Sequence, residues 1–412
     1  MTGTKHLCIA WHVGAPDRNW ACGHLVNHLI EALPDLDHVI DPDPVADAAA
    51  DVRVFTLAPH LVRIGPDRRT IIHLDGQRWM GPLAGHRPPR IVHIYCPVFM
   101  LDKWSFGLTG MDQFYRAAQH PPAGLAYEFI PADFYWFRDQ INSGGLDPAP
   151  DMILCQNVSQ LKAIPESYLS RTIARLGGNM NFIDQPAGHV AELRRLIGLT
   201  GAAVTTNYYL YEQAAASGCR HVALIPNGID LEQWRPDQRA AVERPFTAGF
   251  VGNITSPAKR EYKGYDLVVD ACRRAGIRLR RATLGRFQIP HDQMMKKFYH
   301  EIDVLIHPTL GEGCSNTLME AAACGVPIIT TRTAGYHGEQ MVNHHDVLFC
   351  DRTPASIYEQ LMAVYADAAL EAMLRTNVRR FAETHHNIRD IVARIRRVVY
   401  LVHQHAHGGH QP

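Results

Sequence analysis

Residues 311–331 read Gly311-Glu312-Gly313-Cys314-Ser315-Asn316-Thr317-Leu318-Met319-Glu320-Ala321-Ala322-Ala323-Cys324-Gly325-Val326-Pro327-Ile328-Ile329-Thr330-Thr331, and they decide the fold. The Ala-rich centre predicts a short helix that begins near residue 316. Gly325 and Pro327 stop it, and a β-branched strand follows. A loop that feeds a helix N-terminus is where an α/β fold holds an anion. The unpaired N–H groups and the helix dipole both favour negative charge there. Glu312 lies in the glycine-containing loop and Glu320 in the helix, so two carboxylates flank that position.

Each part also has a plainer use. Thr317-x-x-Glu320 has the spacing of a capping box, in which Glu320 bonds only the backbone of the helix cap. A charged residue such as Glu312 is by default a solvated loop acid. The full order of two acids, Gly-Cys-Ser-Asn between them, the Ala-Ala-Ala-Cys-Gly-Val-Pro stop and the strand is more specific than its pieces. It resembles the Glu-x7-Glu signature of family 4 of the retaining glycosyltransferases, which have the GT-B fold. That resemblance covers roughly residues 200 to 350 well and the N-terminal half poorly.

The chain has 412 residues, which predicts two domains. Apolar residues at 46% and charged residues at 20% describe a globular chain rather than a disordered one. The 41 basic and 41 acidic residues cancel, which argues against a nucleic-acid partner bound through phosphate neutralisation. The nine cysteines are scattered with no C-x-x-C pair, as expected of buried free thiols in a reducing compartment. Cys314, in the signature loop, is a candidate for exposure, but no partner base in the sequence marks it as a nucleophile. With no signal-peptide pattern and no apolar run long enough to span a bilayer, the expected location is cytoplasmic. His403, His405, His407 and His410 form a tail suited at most to adventitious metal binding.

Strand candidates alternate with helical segments along the chain. The first, Lys5 to Trp11, leads through Gly14 to a helix pattern from Cys22 to Leu33. Others are Val52 to Leu57, Thr70 to Leu74, Ile91 to Tyr95, Asp151 to Cys155, Arg171 to Arg175, Ala202 to Thr206 and His221 to Ile225. Residues 97–150 break the rhythm and are expected to form an irregular, aromatic-rich insertion. Core packing is the favoured use of its Phe134-Tyr135-Trp136-Phe137, over stacking on sugar rings. The turn Pro226-Asn227-Gly228-Ile229-Asp230 closes this half. A second series follows: Phe246 to Val251, the helix Tyr265 to Ala275, Leu279 to Leu284, Asp303 to His307, Pro327 to Thr331 and Val347 to Cys350. A final helix from Ile388 to His403 has apolar residues at mixed i+3 and i+4 spacings.

The family resemblance implies two Rossmann-like doubly wound α/β domains facing a central cleft. On that basis residues 1–226 form an acceptor-binding domain, 227–384 the nucleotide-sugar domain, and 385–412 a helix crossing back plus a tail. It implies transfer of a sugar from a nucleotide-diphosphate sugar to an acceptor hydroxyl with retention of configuration, without a metal or other cofactor. Glu312 then orients the donor sugar and Lys263 binds the diphosphate. Gly252, Asn253, Gly313, Cys314, Ser315, Asn316, Thr317 and Glu320 complete the donor site, with Glu320 on the ribose. Asn253 departs from the family's usual Arg, and Lys259 or Arg260 are the candidates to replace that charge. Gly14, Gly178 and Asn179 are candidates on the acceptor side, with His73 as an alternative.

The implied partners are the donor and a glycan, lipid-linked or small-molecule acceptor, with at most peripheral membrane contact. Assembly of surface polysaccharide, glycolipid or natural-product glycans is the expected setting. Two other readings stay open: a nucleotide-sugar 2-epimerase of the same fold, and a catalytically silent nucleotide-sugar-binding homologue.

Overall fold

The computed structural model describes residues 8–13, 37–40, 52–56, 62–63, 90–99, 112–121, 125–183, 185–237, 244–284 and 287–406. Gly14, His73, the helix pattern at 22–33 and the strand candidate at 70–74 lie outside them. Packing separates two compact units, Met1–Arg90 and Ile91–Pro412. In the first unit β1 (Cys8–Val13) pairs in parallel with both β2 (Asp37–Ile40) and β3 (Val52–Thr56). The short β4 (Val62–Arg63) runs antiparallel to β3, giving the order β2-β1-β3-β4.

The second unit holds two sheets. Its first comprises β5 (Arg90–Val98), β6 (Leu125–Asp133), β7 (Met152–Cys155), β8 (Thr172–Leu176), β9 (Ala202–Thr205) and β10 (Val222–Leu224), in the order β10-β9-β8-β7-β5-β6. The pairs from β5 through β10 are parallel. The helices of this half are α1 (Asp112–Ala118), α2 (Phe134–Ser143), α3 (Glu166–Leu169), α4 (Ala187–Leu199) and α5 (Tyr208–Ala215). Every residue of β7, β8 and β9 is buried. Those strands are mostly apolar and do not alternate, with Thr172, Arg175 and Thr205 as buried polar residues, because helices cover both faces of a parallel sheet.

The segment expected to be irregular therefore contributes α1, β6 and α2. Its aromatic run divides by helical geometry: Phe134 and Phe137, at i and i+3, are buried, whereas Tyr135 and Trp136 are more than half exposed. Core packing accounts for two of the four rings.

The other sheet is fully parallel, in the order β12-β11-β13-β14-β15, built from β11 (Thr247–Asn253), β12 (Arg278–Leu284), β13 (Val304–His307), β14 (Ile328–Thr330) and β15 (Leu348–Phe349). Its helices are α6 (Pro257–Lys263), α7 (Tyr265–Ala275), α8 (His291–Lys297), α9 (Asn316–Ala323), α10 (Tyr336–Gln340), α11 (Pro354–Ala366) and α12 (Ala368–His385). Residues of α7 and α11 share one core and those of α9 and α12 another, so helices line both faces.

The last helix, α13 (Ile388–Ala406), returns to the first of these sheets. Ile391, Ile395, Val399 and Val402 are buried with Val92, Ile94, Met152 and Leu154. Each fully buried aliphatic side chain contributes about 1.5–3 kcal/mol, enough for this face to seat the helix. Its basic face is partly committed, Arg389 to Glu232 and Arg394 to the Leu224 carbonyl. Among the described residues no helix is long and apolar enough to cross a membrane.

Candidate active site

The signature loop leaves β13 at its carboxyl end and is tied down by its own backbone and neighbours. Leu310 N–H donates to the Tyr262 carbonyl at 3.0 Å, Glu312 N–H to Thr333 O at 3.2 Å, and Tyr336 N–H to Gly313 O at 2.8 Å. The Tyr262 hydroxyl donates to Gly311 O at 2.5 Å. Helix α9 then starts after Ser315, whose side chain makes no capping bond. It ends with Gly325 N–H on Ala322 O and Val326 N–H on Ala321 O, the paired closure of a Schellman motif.

Glu312 is the electrostatic centre of this loop. Its Oε1 accepts from the Lys263 ammonium, from His307 Nε2 at 3.2 Å and from Thr309 Oγ1 at 3.3 Å. Among the described residues Oε2 receives no hydrogen bond. Burial alone would raise the carboxyl's pKa, but the His307 hydrogen bond and the Lys263 charge outweigh it and hold it at about 2. Burial pushes His307 the other way, below its ordinary value, so the neutral ring places its proton on Nε2 facing the carboxylate. Lys263 reaches the pair from the last turn of α6, ended by Gly264 at φ 68°.

Glu320 is held differently. His291 Nε2 lies 3.0 Å from its Oε1, and the Tyr299 hydroxyl donates to its Oε2 at 2.8 Å. Both oxygens thus already accept one bond from the chain. The capping-box alternative does not form, because Ser315 rather than Thr317 occupies the cap position and Glu320 turns to His291 and Tyr299 instead.

Two glycines explain how closely the loop is packed. A Cβ on Gly313 would stand 2.0 Å from the Gly177 carbonyl oxygen and 2.9 Å from Thr206 Oγ1. A Cβ on Gly335, at φ +62°, would stand 2.2 Å from Gly313 O. The close approach that Gly313 permits is thus to the end of β8. There Asn179 Oδ1 accepts from Asn207 Nδ2 at 2.9 Å, and Asn207 Nδ2 also reaches Gly313 O at 3.2 Å. Gly178 sits beside them with open space where a side chain would stand. The structure therefore brings Gly178 and Asn179 to the signature loop.

The remaining donor-side candidates divide. Gly252 lies near the end of β11, where a Cβ would stand 3.5 Å from Lys263 Cγ. Asn253 turns inward on its own loop, accepting from Thr255 N–H at 3.1 Å and Thr255 Oγ1 at 2.8 Å. Of the candidates to replace the missing charge, Arg260 pairs with Asp266 and lies over the Tyr265 ring. Cys314 is not accessible: its side chain is buried, and burial pushes the thiol up to about 12. Asn316 Oδ1 accepts from Asn227 Nδ2 at 2.8 Å, which anchors the start of α9 to the Pro-Asn-Gly turn.

Comparison with known proteins bears on the same region. Residues 273–367 match the family described as Glycosyl transferases group 1, which includes Glu312 and Glu320 but not Lys263. The curated D-inositol 3-phosphate glycosyltransferase of Geodermatophilus obscurus is 25% identical over 36% of this chain, and the match spans 41% of that relative's length. The crystal structure of Anabaena HepE in complex with UDP and glucose is similar with a TM-score of 0.55 at 11% identity, covering 75% of this chain and 99% of that one. Sucrose-phosphate synthase from Thermosynechococcus elongatus gives 0.52 at 14% identity, covering 94% and 97%. The fold is GT-B.

Within this GT-B fold, His307, Thr309, His291, Tyr299 and Asn207 are the site-region residues that sequence reasoning did not single out. His307 and Thr309 had a local signal, since His307 ends a strand and Thr309 follows it in His-Pro-Thr-Leu-Gly-Glu. His291 and Tyr299 had none, since they precede Glu320 by 29 and 21 positions.

Proposed function

We propose that the chain is a retaining glycosyltransferase that moves a sugar from a nucleotide-diphosphate sugar to an acceptor hydroxyl. One observation carries this reading. Glu312 is kept ionised by three donors on Oε1 while Oε2 takes none among the described residues, beside Lys263 and the uncapped start of α9. Oε2 then accepts from donor-sugar hydroxyls and fixes the ring. The leaving nucleotide diphosphate gains negative charge as the sugar–oxygen bond breaks. Lys263 and the backbone N–H groups of Ser315, Asn316 and Thr317 supply positive ends where that charge develops.

The same positive ends let the transfer step proceed with no metal or cofactor. Retention follows if the departing phosphate takes the acceptor's proton on the face it leaves. Glu320, with one bond already on each oxygen, keeps lone pairs for ribose hydroxyls. Gly252, Asn253 and Gly313 frame the donor loops, and Gly178 and Asn179 line the acceptor side. The acceptor is a glycan, lipid-linked or small-molecule hydroxyl, in keeping with a cytoplasmic enzyme of surface-glycan or natural-product glycan assembly.

A uridine-diphosphate sugar is the first donor to test, since the HepE structure contains UDP and glucose. A thermal-shift screen of nucleotide sugars identifies the donor, because a ligand of the folded state raises apparent stability. Nuclear magnetic resonance of the product then reads the anomeric configuration, and inversion overturns the retaining assignment. Isomerised sugar from donor alone identifies a 2-epimerase instead. Binding without turnover on a broad acceptor panel identifies a silent homologue.

A further inference from the structure

Cys314, His337 and His386 converge behind the signature loop. One ligating atom from each lies within 4.8 Å of the other two, and all three side chains are buried. They arrive from separate places: the loop before α9, the short α10, and the turn between α12 and α13. That turn is fixed by Ile229 N–H on His386 O at 2.8 Å and Ile388 N–H on Ile229 O at 3.1 Å.

The hydrogen bonding of the two imidazoles sets their chemistry. His386 Nδ1–H donates to the Asn227 carbonyl at 2.7 Å. A carbonyl only accepts, so Nε2 carries the lone pair. That atom is buried with no hydrogen-bond partner among the described residues, and so are both ring nitrogens of His337. Buried polar atoms are ordinarily paired, and three orphans in one place require a reason. An imidazole held at one nitrogen by a backbone carbonyl, which leaves the other nitrogen for a ligand, is how metal-bound histidines are oriented.

We propose that Cys314, His337 and His386 bind one thiophilic d10 cation, Zn2+ or Cu+. Two imidazoles and a thiolate are the donor set such ions take. Zinc bonds of about 2.0–2.3 Å separate ligand atoms by about 3.3–3.8 Å, so closure needs movements on the order of 1 Å. As the Sγ–metal bond forms the Sγ–H bond breaks, the proton leaves to solvent, and no electron is transferred. Burial favours the protonated thiol of Cys314, with Arg175 opposing it only in part, so the metal–sulfur bond itself must drive loss of that proton. Cu+ with one thiolate makes a neutral trigonal centre, whereas Zn2+ retains one positive charge and takes water as a fourth ligand. Either ion fastens the signature loop to the segment through which the chain returns to the first sheet of its unit. Cys314 adjoins the donor loop, but its sulfur has no part in the proposed chemical step, and the site does not depend on that step.

The test uses the full chain, stripped with a chelator. Co2+ as the zinc probe and Cu+ buffered by a chromophoric chelator are titrated in separate arms. Uptake of one equivalent is expected in one arm. In the cobalt arm it brings a thiolate-to-cobalt charge-transfer band, to which the histidine-bearing tail is silent. Affinity is expected to fall by at least about 100-fold in Cys314→Ser, more than the roughly 10–100-fold typical of losing an outer-shell partner. His386→Gln keeps a donor for the Asn227 carbonyl while removing the ligating nitrogen, and it should show the same loss, which covers the case that the serine variant fails to fold. Stoichiometric uptake in neither arm, or affinities in both variants within about two-fold of wild type, overturns the site.

Discussion

Lys263 and Glu312 meet as an ion pair that occupies only one oxygen of the carboxylate. Because Lys263, His307 and Thr309 all converge on Oε1, the carboxylate is charged and oriented at once. Replacing Glu312 by Gln keeps the shape but removes the charge and one acceptor. The expected outcome is a fall in kcat of about 10²–10³-fold with the fold retained, the scale on which one transition-state electrostatic contact acts. Lys263→Ala should fall similarly, and the double variant by less than the product of the two, because both act on one group. Steady-state kinetics alongside circular dichroism checks this, and wild-type kcat in either single variant removes both residues from the mechanism.

Gly313 offers a sharper structural test. Its missing Cβ would stand 2.0 Å from a backbone oxygen of Gly177, an atom that no rotamer change can move. Gly313→Ala should therefore destabilise by about 1–3 kcal/mol, as overpacking does, and separate the signature loop from the end of β8. Gly178→Ala, with nothing within 4 Å of the added methyl, is the control and should change stability little. Denaturant melts of the two variants decide it, and equal midpoints would mean the contact is soft.

Tyr299 and Glu320 test the second carboxylate. The ring is fully buried and its hydroxyl is the donor that Glu320 Oε2 has from the chain among the described residues. Tyr299→Phe leaves that oxygen without its partner in a side chain only 10% exposed, a loss of about 1–3 kcal/mol. If Glu320 also holds ribose, KM for the donor rises while kcat changes less. A fall in kcat with KM unchanged would place Glu320 outside donor binding.

How much of this was legible depends on whether the determining contacts are local. The helix Tyr265–Ala275 was read with both ends correct, because Gly264 and Gly276 sit at its caps in the left-handed region. The strand from Thr172 to Leu176 and those of the second sheet were legible within a few residues; most carry apolar runs, whereas β12, with Arg278, Arg280 and Arg281, was placed by its position between helices. The Thr317-x-x-Glu320 spacing pointed to a capping box that Ser315 pre-empts, and nothing local to Glu320 announces His291 and Tyr299. In Phe134 to Phe137 the helical period, not residue type, selects which rings are buried. Cys314 looked accessible because it stands between glycine and serine in a loop. The contacts that bury it come from Asn227, Gly335 and α10, which only the tertiary structure brings together.

The His291–Glu320 contact makes stability depend on pH in a definite direction. Burial of His291 pulls its pKa down, but the hydrogen bond and charge of Glu320 outweigh that and leave it above the ordinary 6.5. A folded-state pKa raised above the unfolded value means that the folded chain binds the proton more tightly. The resulting stabilisation is fully present below about pH 6.5 and is lost as pH rises through the folded value. His291→Gln removes it, so the melting temperatures of wild type and variant should differ most near pH 6 and converge toward pH 8. Because the imidazole is about one-third exposed, solvent screens the pair and the difference should be small but sign-definite. A gap that widens toward pH 8 would mean that the ring is neutral in the folded chain and that Glu320 accepts a hydrogen bond from an uncharged donor.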